Sequence, residues 1–149
     1  MSLITEKLVV LNLDSPDRHV ATRALAEALA AEGRVTDLEG FLTDVRKREE
    51  QMPTGLPGGI GIPHARSAYV TEPSLAFGRS PAGIDWGAED GPASLIFLIA
   101  APEGGGDDHL KILAALARRL MRTEFRESLM NAPDAAGVVD VVSREVVNP

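Results

Sequence analysis

The chain has 149 residues, 44% of them hydrophobic and 25% charged, which fits one domain able to bury a substantial core and argues against disorder. A formal net charge of −7 speaks against direct nucleic-acid binding, which calls for a basic stripe, and suits a partner with a basic docking face. With no cysteine in the chain, disulfides, thiolate nucleophiles and Cys-ligated zinc are excluded, and a cytosolic location is expected.

At the N-terminus, Glu6 and Lys7 stand where the apolar core of a signal peptide would lie, so no leader is expected. LVVLNL (8–13) predicts a buried strand. A helix follows, with Ser15 as cap, Pro16 at its first position and Gly33 just past its end. Val20, Ala24, Leu25, Ala28 and Leu29 form its apolar face. A second helix is predicted from Thr36, whose hydroxyl and Glu39 make a capping box. Leu38, Phe41, Leu42 and Val45 repeat at helical spacing, the polar run RKREEQ (46–51) follows, and Pro53 ends the helix.

GIGIPH (59–64) and SLAFGRS (74–80) predict short strands, separated from SLIFLIA (94–100) by the turn residues AEDGPA (88–93). The apolar run around SLIFLIA predicts a strand covered on both faces. It is about half the roughly 20 residues that a membrane-spanning helix needs, so no membrane insertion is expected. After the loop PEGGGDD (102–108), a helix from Asp108 places Leu110, Leu113, Ala117 and Leu120 on its inner face. FRESLMN (125–131) and PDAAGVVDVVSREV (133–146) predict further helices. With no internal repeat and no linker, the expectation is a single α/β domain over residues 1–149. It has three α/β/α layers, a mixed sheet flanked by helices.

Three histidines are candidates for chemistry, and a hydrogen-bonded structural imidazole is the plain alternative for each. His19 has no assigned role. His64 differs because its surroundings are specialised. Glycines at 58, 59 and 61 allow close backbone approach, and Pro63 pushes Ile62 into extended geometry. The histidine then sits just past a stiff strand end, where a neutral imidazole has a nitrogen lone pair and can act as a nucleophile. His109 is placed at a helix start, where unpaired N–H groups favour an anion, with Asp107 or Asp108 as the N-cap. The run Arg46, Lys47 and Arg48 is explained by the helix dipole alone.

REEQMPTGLPGGIGIPHA (48–65), GIDWGAEDGPASLIFLIAAPEG (83–104) and HLKILAALARRL (109–120) together resemble three blocks of one family. It is the fructose/mannitol/nitrogen-regulatory group of IIA components of the bacterial sugar phosphotransferase system. The resemblance spans nearly the whole chain and implies a phosphocarrier. His64 matches the family histidine that accepts a phosphoryl group from phospho-HPr and passes it to a cysteine on a IIB domain. His109 matches the second histidine, which steadies the phosphate, and Arg48 and Thr54 fall on positions lining the same pocket.

The resemblance favours the fructose type, with a nitrogen-type regulatory protein as the alternative. Neither metal nor cofactor is implied, and the chain has neither a Walker glycine loop nor a His-rich metal spacing. A His-dependent hydrolase would need a nucleophile and a third orienting group, and no G-x-S-x-G occurs. A binding module that is never phosphorylated is the remaining rival.

Overall fold

The stretch Ala93–Pro102 is the central strand of the molecule, and its neighbours explain why it is so apolar. The computed structural model describes residues 3–104 and 108–147, with the side chains of residues 108–110 and 147 outside that description. The strands are β1 (Val9–Val10), β2 (Gly55–Leu56), β3 (Ile60–Gly61), β4 (His64–Ser67), β5 (Ser74–Ile84) and β6 (Ala93–Pro102). The helices are α1 (Arg18–Ala31), α2 (Leu38–Gln51), α3 (Asp108–Leu120), α4 (Thr123–Met130) and α5 (Ala135–Val142).

The sheet order is β1-β5-β6-β3-β2. β6 runs antiparallel to β5, with Phe97 opposite Phe77, and those rings meet edge to face at 5.3 Å. Along its other edge β6 runs parallel first to β3 and then to β4, pairing Leu95 with Ile60 and Ile99 with His64. Successive strand residues point to opposite faces, so the unbroken burial from Leu95 to Ala101 requires cover on both sides.

Two neighbours on β5 show that cover directly. A Cβ on Gly78 would lie 2.6 Å from Leu13 and 3.3 Å from Leu25 of α1. The next residue, Arg79, reaches the opposite layer, where its Nη1 donates to the carbonyls of Leu129 (3.0 Å), Met130 (3.2 Å) and Ala132 (2.8 Å) at the end of α4. α1 packs on α2, and α4 on α5. The expected mixed sheet between helical layers is what the chain forms.

Several local expectations are corrected. Asp17, not Ser15, caps α1, its carboxylate accepting from the amides of His19 and Val20 at 2.9 Å. The inward face is Ala21, Leu25, Ala26 and Leu29, while Val20 is exposed. The capping box at Thr36 does not form. Asp37 caps α2 by accepting from Gly40 N, and the Thr36 amide and hydroxyl both donate to Tyr69 O. Leu8 lies in a 3-10 turn, leaving β1 only two residues long. On α3, Leu116 and Leu120 are buried and Ala117 is exposed. α5 stops at Val142, and Ser143–Val147 continues as a π-helical turn.

The expected strand over 59–64 is two strands with a step between them. Pro63 has no N–H to give to a ladder, and the Ile62 N–H turns away to Thr54 O at 3.1 Å. Pro63 O nevertheless accepts from Ile99 N at 3.0 Å, so the chain steps without leaving the edge of β6. His64 is therefore the first residue of β4.

Candidate active site around His64

The site is assembled from the end of α2, the step between β3 and β4, and the loop after β5. α2 ends at Gln51, with Pro53 two residues on. The chain then folds back so that Thr54 meets the last turn of the helix. Thr54 N donates to Glu49 Oε2 at 2.7 Å, and Thr54 Oγ1 donates to Glu49 Oε1 at 2.6 Å. Glu49 is 6% exposed and Thr54 5%. A carboxylate this far from water is costly unless it is hydrogen-bonded, and these two short charge-assisted bonds meet that need.

Trp86 closes the other side. Its Nε1 donates to Thr54 Oγ1 at 3.1 Å, so the hydroxyl gives its proton to Glu49 and accepts from the indole. The Trp86 ring lies against Gly61, where a Cβ would come within 2.6 Å of it. Glycine at 61 is thus required by close approach, as the glycine-rich sequence predicts.

From Thr54 the connection runs to the histidine. Thr54 O accepts from Ile62 N at 3.1 Å, and Ile62 O lies 2.8 Å from His64 Nδ1. A carbonyl can only accept, so Nδ1 carries the proton, and in the neutral form of the ring the lone pair is then at Nε2. The ring is half-buried, and its backbone is fixed by the pairing of His64 with Ile99 on β6. Such an imidazole can attack an electrophile through Nε2 while Ile62 O stabilises the positive charge that develops at Nδ1.

The structure brings Thr54 and His64 into one hydrogen-bonded chain through Ile62. Arg48 is on the last turn of α2, and its Nη1 donates to Met52 O at 3.2 Å, bracing the same turn. His109 is the second residue of α3, but its side chain lies outside the described residues, as does the capping role expected of Asp107 or Asp108. Glu49 and Trp86 have no role among the expectations drawn from the sequence. The spacing of Glu49 and Thr54 across a Pro-containing turn was a usable signal for the first. Trp86, the only tryptophan, had no local signal. Among the described residues no group of three or more His, Cys, Asp or Glu side chains is placed to hold a metal ion.

The family model described as "Phosphoenolpyruvate-dependent sugar phosphotransferase system, EIIA 2" matches residues 2–145. The chain belongs to this EIIA 2 family. Among EIIA 2 relatives, it is 41% identical over 142 residues to the PTS system fructose-specific EIIA component of Haloferax volcanii, covering 93% of this chain and 92% of that one. It is 36% identical over 143 residues to the fructose-specific EIIABC component of Bacillus subtilis, which covers 95% of this chain but only 22% of the longer relative. The crystal structure of nitrogen regulatory protein IIA-Ntr from Neisseria meningitidis superposes with a TM-score of 0.86 at 29% identity, covering 94% of this chain and 96% of that one. The EIIA 2 fold and a phosphocarrier role at that level follow from this membership. No helix among the described residues is long and apolar enough to cross a membrane.

Proposed function

We propose that His64 accepts a phosphoryl group from phospho-HPr on Nε2 and passes it to a cysteine of a IIB domain, in the service of fructose-type sugar uptake. The observation that carries this reading is the 2.8 Å contact between His64 Nδ1 and Ile62 O, which presents the nucleophilic lone pair at Nε2. In the first step the Nε2 lone pair forms a bond to phosphorus as the bond from phosphorus to HPr breaks. Nδ1 keeps its proton throughout, and its bond to Ile62 O strengthens as the ring becomes cationic. In the second step a cysteine thiolate attacks phosphorus, the Nε2–P bond breaks, and its electron pair returns to the ring. Transfer of this kind needs alignment and charge stabilisation more than acid–base chemistry.

The other site residues have supporting roles in this reading. His109, in the first turn of α3, steadies the phosphate together with the N–H groups of the helix start. Arg48 contributes positive charge. Thr54, whose hydroxyl proton already goes to Glu49, acts by holding Ile62. We place the reaction in the cytoplasm, without metal or cofactor. The fructose-specific name of the Haloferax relative supports sugar uptake, and the EIIABC name of the Bacillus relative supports a B-type acceptor. The likeness to IIA-Ntr favours the second reading, a regulatory protein that signals through its phosphorylation state. Fructose type is preferred because the identity to the Haloferax protein is higher.

Incubation with phospho-HPr carrying labelled phosphate tests the proposal. The wild type takes up acid-labile label and His64→Ala, folded, takes up none. Full labelling of that variant overturns it. Onward transfer to a IIB protein separates uptake from regulation.

A further inference from the structure

We infer that Glu49 is a positioning residue for His64, acting through Thr54 and Ile62 to hold the imidazole with its proton on Nδ1. The consequence for transfer rests on the reading of His64 as the phosphoryl carrier; the geometry of the link does not.

Glu49 is the one carboxylate in the described core. Among the described residues no ion pair engages it, and its hydrogen bonds go to Thr54 alone. A buried carboxylate without a cation does little for stability compared with an apolar residue of the same volume. Its effect here is geometric. One oxygen takes the Thr54 N–H and the other takes the hydroxyl, so backbone and side chain of Thr54 are clamped together. That clamp fixes where the Thr54 carbonyl points, and the carbonyl takes the Ile62 N–H at 3.1 Å.

Ile62 stands between β3 and Pro63. With its N–H anchored and the following residue a proline, its carbonyl is left to face His64 Nδ1. Three consecutive links thus connect a buried charge to the tautomer of the ring. The constraint is needed because a histidine side chain free in water favours the proton on Nε2, which would put the lone pair on the wrong nitrogen. The hydrogen bond at one ring nitrogen decides which nitrogen is protonated.

Substitution of Glu49 by Gln keeps the shape but removes one acceptor, so either the Thr54 amide or its hydroxyl is left without one. Thr54 rotates, Ile62 loosens, and the ring is released.

The test uses the full chain labelled with nitrogen-15, with long-range proton–nitrogen spectra of the His64 ring recorded above its titration. Wild type is expected to show Nδ1 protonated and Nε2 unprotonated. Glu49→Gln is expected to move the ring toward the Nε2-protonated form and to slow phosphoryl acceptance from phospho-HPr roughly 10- to 100-fold. Glu50→Gln, on the neighbouring exposed carboxylate, is expected to change neither. A folded Glu49→Gln protein with wild-type ring spectrum and wild-type rate overturns the inference. A wild type that shows the Nδ1 proton and responds to Glu49→Gln, yet takes no phosphate, upholds the positioning link and sinks the carrier reading instead. Should Gln at 49 not fold, Thr54→Val carries the same measurement. Thr54→Ser is then expected to restore the tautomer, and failure to restore it counts against the link.

Discussion

The indole of Trp86 packs so closely on Gly61 that a β-carbon at that position would sit 2.6 Å from the ring. Trp86 is fully buried and is tied to Thr54, so it cannot swing aside cheaply. Gly61→Ala is expected to cost about 2 kcal/mol, the usual scale for overpacking a filled core, and to slow phosphoryl acceptance by displacing the Thr54 turn. Gly104→Ala, where a Cβ meets nothing within 4 Å, is expected to stay within about 0.5 kcal/mol of wild type. Urea denaturation of both variants, read by the single tryptophan, checks the contrast.

Arg79 joins β5 to the end of α4 through three carbonyls. The last carbonyls of a helix lack partners within it, and a half-buried guanidinium supplies them here. Arg79→Met keeps much of the apolar stem but removes the donor. It is expected to destabilise the fold by about 2 kcal/mol, the range for hydrogen bonds to a charged group. Arg79→Lys is expected to recover only part of that loss, since an ammonium is a point charge and not a planar fork. Thermal or urea unfolding of the two variants measures it.

Arg23 and Glu39 tie α1 to α2 at 2.8 Å. The Arg23 hydrogen bond holds the Glu39 carboxyl below the ordinary glutamate range, and the same bond raises Arg23. A carboxyl depressed in the folded state stabilises that state above its unfolded pKa, and the contribution is lost as pH falls through the lowered value. With side chains 43% and 71% exposed, the effect is small and screened by salt. The urea midpoints of wild type and Glu39→Gln are therefore expected to differ slightly at pH 7 and to converge as pH falls through the lowered Glu39 value. A difference that grows on acidification contradicts the assignment.

His109→Ala is expected to retain some acceptance of phosphate and to slow onward transfer to a IIB cysteine. The motive is its place in the first turn of α3, where N–H groups favour an anion. Rapid-mixing measurements of each half-reaction check this, and unchanged rates in both count against it.

Much of this architecture was legible in the residues. The apolar run at β6 announced a strand covered on both faces, and the Gly- and Pro-rich approach to His64 announced a rigid presentation of the ring. Local ambiguity defeated other expectations. In α1, alanine is so frequent that several faces are apolar, and hydrophobicity alone did not show that Val20 points outward. Thr36 and Asp37 are both competent caps, and the choice is made by Tyr69, a distant residue that engages Thr36. Glu49 and Glu50 are alike as letters. Only the fold-back at Thr54 makes the first a buried clamp and leaves the second in solvent.

The most direct test of the account is phosphorus-31 and nitrogen-15 NMR on the chain after exposure to phospho-HPr. A single phosphoramidate is expected, coupled to Nε2 of His64, with the proton still on Nδ1 and the signal missing from His64→Ala. Phosphorus bonded to Nδ1 of His64, or carried by any other residue, would contradict it.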